Sequence, residues 1–305
     1  MVRAVLQAML NIGGLPSQFV GDIAETFFDD YFDILVYSEV LYVLIVFLGP
    51  KAMESREPYR LKYLIAAWNL ALSFLSLCGT IGVSIMLMHS LEERGMYETT
   101  CYLDKNLYDG ELTFWLFAFL LSKIPEMLDT VFLVLTKKPI IFLHWYHHLT
   151  VTVFCWYAGY TLIASGVWFA SMNYAVHTVM YFYYFLCSLG MRKFIRPIAP
   201  FITGAQLLQM VVGTIIVLYT FYYSYISERG CGVDHRTIRM GLCMYGSYFV
   251  LFATLFVHLY MKKGAATKSR KTETAAAAAA AAAHQNGKPV DGAKNGCSAA
   301  AMKKQ

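Results

Sequence analysis

Ile140–Ala158, IIFLHWYHHLTVTVFCWYA, is a largely apolar run with three histidines in its first half, and its reading decides the fold. On a helix, His144, His147 and His148 fall at i, i+3 and i+4 and share one face. The run is long enough to cross a hydrocarbon core of about 30 Å. Imidazoles at such depth are costly, so they are turned into a bundle interior or cavity, where they do chemistry or hold a metal.

The rest of the chain agrees with a membrane setting. Of 305 residues, 58% are hydrophobic and 15% charged, with a mean hydropathy of +0.48, which excludes an ordinary soluble domain. Seven spans are expected, over 31–49, 63–89, 113–135, 140–158, 166–189, 199–224 and 239–261, giving an all-α, polytopic protein with seven transmembrane helices. The organisation is then an N-terminal luminal segment 1–30, a seven-span domain 31–262 and a tail 263–305. The start of the chain lacks the basic region and cleavage site of a removable signal peptide, so the first span is expected to serve as targeting signal.

Seven spans put the termini on opposite sides, and the positive-inside rule orients them. One side carries Lys51, Arg56, Arg60, Lys62, Lys137, Lys138, Arg192, Lys193, Arg196, Lys262, Lys263, Lys268, Arg270 and Lys271, fourteen cations. The other has six, Arg3, Arg94, Lys105, Arg229, Arg236 and Arg239, beside the acidic Glu92, Glu93, Glu98, Asp104, Asp109 and Glu111. The C-terminus is therefore expected in the cytosol and the N-terminus in the lumen. The tail, with its alanine tract Ala275–Ala283, reads as disordered. Its terminal Lys303-Lys304 resembles a dilysine retrieval signal set one place too close to the end. Cys78, Cys155, Cys187 and Cys243 read as apolar packers within spans and Cys297 as a reduced cytosolic thiol. Cys101 and Cys231, alone in luminal loops, suggest a disulfide.

Polar stripes accompany the histidines. In the third span Lys123, Glu126, Asp129 and Thr130 fall within an arc of roughly 120°. The fifth carries Asn173, His177, Met180, Tyr181 and Tyr184, and the sixth Thr203, Gln206 and Gln209. Four consecutive helices each offering a polar face should converge, at a depth of roughly 12–20 Å from the cytosolic end. The expected cavity opens to the cytosol. Bulky Trp168 and Phe169 lie where an apolar channel would end on the luminal side.

Other readings compete. Lys123, Glu126 and Asp129 can neutralise one another as a buried ion network that fixes packing, and Gln206 and Gln209 can be interhelical glue. His-x-x-His-His is also the box of membrane metal-dependent lipid oxidases and hydroxylases. One box and His177 supply enough imidazoles for a single ion, although Lys123 competes for the carboxylates. A non-enzymatic seven-span receptor or transporter shares the hydropathy but does not need these matched stripes.

Lys123-Ile-Pro-Glu126-Met-Leu-Asp129-Thr130, His144-x-x-His147-His148, Asn173-x-x-x-His177-x-x-Met180-Tyr181-x-Tyr183-Tyr184 and Thr203-x-x-Gln206-x-x-Gln209 resemble, in order and spacing, the motif series of the ELO-type very-long-chain fatty acid elongases. The resemblance covers about residues 30–262. Phe142-Leu143-His144-Trp145-Tyr146-His147-His148 and Met172-Asn173-Tyr174 look most like the branch acting on saturated and monounsaturated chains.

The resemblance implies a 3-ketoacyl-CoA synthase of the endoplasmic reticulum membrane. Acyl-CoA and malonyl-CoA would yield a 3-ketoacyl-CoA, carbon dioxide and CoA, with no cofactor and no metal. It implies His147 as nucleophile, His177 as polarising group, and His144 and His148 as groups that orient His147. Asn173 and Gln209 would donate to carbonyl oxygens, while Lys123, Glu126, Asp129, Tyr181 and Gln206 support the site. Lys137, Lys138, Arg192, Lys193 and Arg196 stand where a cytosolic mouth would attract CoA phosphates, and the topology rule explains them equally well. Expected partners are membrane lipid, ketoacyl-CoA reductase, hydroxyacyl-CoA dehydratase and enoyl-CoA reductase, with no nucleic acid. Self-association is compatible with the sequence.

Overall fold

The structure, a computed structural model, describes residues 21–103 and 110–262. The first twenty residues, the loop residues Asp104, Lys105 and Asp109, and the expected tail 263–305 with its alanine tract, Cys297 and Lys303-Lys304 lie outside the described residues. The chain divides into a unit ending at Phe256 and a second from Val257. Of the second, the π-helix Val257–Lys262 is described.

Every element of the described part of the first unit is helical: α1 Gly21–Asp30, α2 Phe32–Ala52, α3 Lys62–Cys101, α4 Glu111–Glu126, α5 Leu128–Leu135, α6 Phe142–Thr161, α7 Gly166–Ser188, α8 Arg192–Ile195 with a 3₁₀ turn Arg196–Ile198, α9 Ala199–Tyr225 and α10 His235–Phe256. Among the described residues, four stretches are long and apolar enough to cross a membrane: α2, α3, Arg192–Tyr225 and His235–Met261. The remaining expected spans correspond to α4 with α5, to α6 and to α7. Polar side chains lower the hydropathy of α6 and α7, whereas α4 and α5, at 16 and 8 residues, are each too short by themselves.

Two expected spans take a different form. The third, expected as one helix over 113–135, is two helices that meet at Met127. Pro125 removes a helix N–H and crowds the preceding turn. The chain closes instead through short-range bonds, Met127 N–H to Ile124 O at 3.1 Å and Thr130 N–H to Met127 O at 3.0 Å. The second span extends far past 89, and Gly95, at φ 75° and ψ 174°, redirects its last turns. Only a residue without Cβ adopts that backbone cheaply.

The redirected turns reach the loop between α9 and α10. Tyr97 donates its hydroxyl to Gly230 O at 2.8 Å, and the Arg229 guanidinium lies over the Tyr97 ring, 3.6 Å from its centroid. Gly232 N–H donates to Cys101 O at 3.0 Å. A disulfide joins Cys101 to Cys231 with Cα atoms 4.8 Å apart.

Helices α3 and α7 share the most extensive packing, followed by α9 with α10, while α6 contacts α1, α4 and α10. Helix α1, inside the segment assigned to the lumen, is part of the core. Phe27 and Phe28 pack against Phe117 and Trp156, and Trp156 donates its indole N–H to Phe28 O at 2.8 Å. An indole buried this way needs an acceptor, and the α1 backbone supplies it.

Candidate active site

Helix α6 places the three histidines near its first turns, at the end of the bundle that also holds Lys137 and Lys138. The His144 and His148 rings lie 4.7 Å apart between centroids, and those of His147 and His148 5.6 Å. Each has a different surrounding. His144 Nε2 is 2.9 Å from Thr130 Oγ1, and the Tyr42 hydroxyl on α2 meets the same Oγ1 at 3.0 Å. His148 is buried, with Tyr42 beside it at 6.2 Å between centroids. His147 lies 4.9 Å from the Tyr248 ring of α10, whose hydroxyl donates to His147 O at 3.2 Å. The His147 Nδ1 atom is buried and has no hydrogen-bond partner.

A second polar group joins α4 to α7. Lys123 Nζ donates to both oxygens of Glu126, at 2.8 and 3.1 Å, and to Asn173 Oδ1 at 3.1 Å. Because Oδ1 accepts from the ammonium, the Asn173 amide nitrogen is the donor toward His177 Nε2, 3.2 Å away. The His177 ring proton then sits on Nδ1, which faces Glu126 Oε2 at 3.9 Å. Ser122 donates a further bond to Glu126 at 2.8 Å. Lys123 and Glu126 are 2% and 4% exposed, so this is a buried pair whose remaining polar atoms are bonded. Such satisfaction is what makes a buried ion pair tolerable.

Asp129 does not join that pair. The turn at Met127 carries it to a separate group, where Trp68 Nε1 donates to Oδ1 at 2.8 Å and Tyr181 to Oδ2 at 2.9 Å. The expected three-membered ion network is thus two groups. Lys123 and Glu126 engage Asn173 and His177, while Asp129 links α3, α5 and α7.

Through Asn173 the first of these groups borders a cavity that His147 also lines, whereas Asp129, Trp68 and Tyr181 are not part of its wall. His147, Asn173, Gln209 and Tyr248 give the cavity a polar end, and Tyr245 and Thr113 are its other polar side chains. From there it follows Val151, Cys155 and Gly159 along α6, and then Ile163 past the helix end, toward the end that bears the disulfide. His147 to Gly159 is twelve residues, about 18 Å of helix. Phe169 lines it, and Trp168 packs behind the wall. An extended apolar slot with polar groups at one end fits a long hydrocarbon chain ending in a reactive head group.

Other expected site residues lie apart from this lining. Gln206 donates to the Met180 sulfur at 3.2 Å, an interhelical contact. Tyr184 is turned outward. Lys137, Lys138, Arg192, Lys193 and Arg196 are all exposed, and Lys137 donates to Glu54 O at 3.0 Å. Tyr42, Trp68, Tyr248 and Phe28 were not legible in the sequence. Only the indole and the hydroxyls carried a signal, since each requires a partner once buried.

A helical membrane protein with a histidine-headed polar site above a long apolar cavity is the class that fold and site define. The profile of the ELO: GNS1/SUR4 family matches residues 27–268, and the chain belongs to that family. It is 59% identical over 261 residues to the very long chain fatty acid elongase 4 of Trypanosoma cruzi (strain CL Brener), covering 85% of this chain and 91% of that one. Fatty acid elongase 3 of Trypanosoma brucei brucei (strain 927/4 GUTat10.1) is 41% identical over 281 residues, 83% of this chain and 93% of its own. Very long chain fatty acid elongase 6 of Gallus gallus is 39% identical over 234 residues, 76% and 86% of the two chains.

Proposed function

We propose that this chain performs the condensing step of fatty acid elongation, joining an acyl-CoA to malonyl-CoA through an acyl-imidazole on His147. The elongation function, of acyltransferase type, follows from family membership and from elongases matching along most of their length. One observation carries the assignment of His147. Its Nδ1 is buried without a protein partner, and the ring borders an apolar cavity whose other polar lining is neutral.

In this reading the unprotonated nitrogen of a neutral His147 attacks the thioester carbonyl, the C–S bond breaks, and CoA leaves as the thiol, taking the proton that the other ring nitrogen gives up. Malonyl-CoA then loses carbon dioxide, and the resulting enolate attacks the acyl-imidazole. The 3-ketoacyl-CoA departs as the C–N bond breaks, and the ring takes up one proton from solvent to restore the neutral imidazole. Gln209 and the second amide N–H of Asn173 donate to the carbonyl oxygens and to the enolate oxygen. His177, whose Nε2 accepts from Asn173 and whose Nδ1 faces Glu126, holds the Asn173 amide in place and has no N–H of its own left for the enolate, a change from the polarising role expected of it. His144, held by Thr130, and His148 set the orientation of His147. Glu126 and Asp129 are already engaged by protein donors, an arrangement that suits positioning better than metal binding. The chemistry needs no cofactor.

The charge asymmetry supports seven spans, a cytosolic mouth flanked by Lys137, Lys138, Arg192, Lys193 and Arg196, a luminal N-terminus and a cytosolic tail. Residence in the endoplasmic reticulum, beside the ketoacyl-CoA reductase, hydroxyacyl-CoA dehydratase and enoyl-CoA reductase that complete the cycle, belongs to the same reading.

Purified protein given acyl-CoA alone should release CoA and gain an acyl mass on the peptide bearing His147. His147→Ala should abolish both that adduct and condensation, while His89→Ala, on an exposed site, stays near normal. Normal turnover by His147→Ala would overturn the covalent route. Activity lost on chelation and restored by a metal would favour an oxidase-type site.

A further inference from the structure

Phe28 lies outside the polar motifs, on α1, yet it is 1% exposed and lines the apolar cavity. Its backbone is tied down by the Trp156 indole. Its ring packs edge-on against Phe27, Phe117 and Trp156, at 5.7, 5.8 and 5.1 Å between centroids. On a further side it rests in a notch at Gly159, where a Cβ would come within 2.6 Å of Cδ2 and Cε2 of the ring. With those sides occupied, the direction left for displacement is the cavity itself.

Position along the cavity gives this seat its meaning. Gly159 is twelve residues beyond His147 on α6, about 18 Å along the slot. Leu162, Ile163, Gly166, Leu103 and Thr113 line the space beyond. An acyl group attached at His147 would pass the head-group residues before its far end met the Phe28 ring.

We infer that Phe28, seated on Gly159, is a gauge of acyl-chain length, so that a helix preceding the polar motifs takes part in choosing the substrate. This rests on the elongase reading of the site. The ring acts by volume, and two substitutions move that volume in opposite directions. Phe28→Ala removes the ring and lengthens the slot. Gly159→Ala pushes the ring inward and shortens it. A pocket that changes by a methylene or more typically changes selectivity by about 10-fold or more.

The test uses the full-length protein in proteoliposomes, with malonyl-CoA and a series of saturated acyl-CoA primers differing by two carbons. Rates of product formation give kcat/KM for each primer. Phe28→Ala should shift the preferred primer to longer chains, and Gly159→Ala to shorter ones. The ratio of kcat/KM between neighbouring primers should change by about 10-fold in each case. The double variant should move back toward the wild-type profile. Phe28→Leu, which keeps part of the packing, covers the case in which Phe28→Ala does not fold, and should shift the profile in the same direction by less. Variants that lower every primer in equal proportion would overturn the gauge and leave Phe28 a packing residue. Absence of condensation by the wild type with every primer would instead overturn the elongase reading.

Discussion

Tyr181 donates its hydroxyl to Asp129 at 2.9 Å, across the interface between α7 and α5, and this bond helps hold Asp129 apart from the Lys123–Glu126 pair. Trp68 occupies the other carboxylate oxygen at 2.8 Å. Two carboxylates on one stripe of sequence thus have different structural duties. Glu126 orients His177 through Lys123 and Asn173, and Asp129 fastens three helices.

Asp129→Ala should therefore cost stability more than any rearrangement of the histidines would suggest. It leaves the half-buried Trp68 indole N–H and the buried Tyr181 hydroxyl without an acceptor, at about 1–3 kcal/mol for the hydroxyl and less for the indole. Tyr181→Phe removes one bond and keeps the carboxylate paired with Trp68, so its loss should be smaller. Thermal unfolding in detergent checks the order, and an Asp129→Ala melting temperature equal to that of Tyr181→Phe would refute the double-acceptor role.

The Lys123–Glu126 pair should show the non-additivity of a buried ion pair. Lys123→Met leaves a buried carboxylate with no cation, a loss of about 3–5 kcal/mol. The double variant Lys123→Met/Glu126→Gln removes the stranded charge and should be more stable than the single. A double-mutant cycle on melting temperatures measures the coupling. Both variants should also lose activity, because Asn173 loses the ammonium that fixes its amide.

The Cys101–Cys231 bond closes a loop of 130 residues. Chain entropy assigns such a crosslink up to about 5 kcal/mol, and a membrane, by restricting the unfolded chain, should reduce this. Cys101→Ser should lower the melting temperature while the folded fraction keeps its catalytic rate, since the bond is at the opposite end of α6 from His147. Recovery of both cysteines as alkylatable thiols from protein never reduced would refute the bridge.

Asp234 precedes α10 and accepts from the backbone N–H groups of Arg236 at 2.9 Å and Thr237 at 3.0 Å, and from Tyr157 at 3.2 Å. Partial burial pulls its carboxyl upward, but the bonds from Thr237, Tyr157 and Arg236 outweigh this and hold it below the usual carboxylate range. A lowered folded value means the contribution is present above the unfolded value, near 4, and lost as pH falls through the folded one. Asp234→Ala should cost about 1 kcal/mol at neutral pH, as for other helix N-caps. The gap between wild type and variant should narrow as the pH drops below about 4. A gap independent of pH would show that the carboxylate's charge is not what matters.

The sequence alone determined the all-helical class, the rough positions of most helices, though neither α1 nor the break at Met127, and the coming together of His144, His147, His148, Asn173, His177 and Lys123. Apolar length and the 3.6-residue period are local properties of the chain, and a polar stripe in an apolar helix has few places to go except toward other stripes. Tertiary structure decided how the polar groups are divided. The turn after Pro125 separates Asp129 from Glu126, although helical spacing alone puts them on one face. It also decided what walls the cavity. Phe28 lies more than a hundred residues from Gly159 in sequence, and no period or motif links them. Their contact exists because α1 folds back against α6 and because a glycine leaves room for a ring. Complementarity between distant side chains depends on volume and direction at once, and a linear pattern of residue types carries neither.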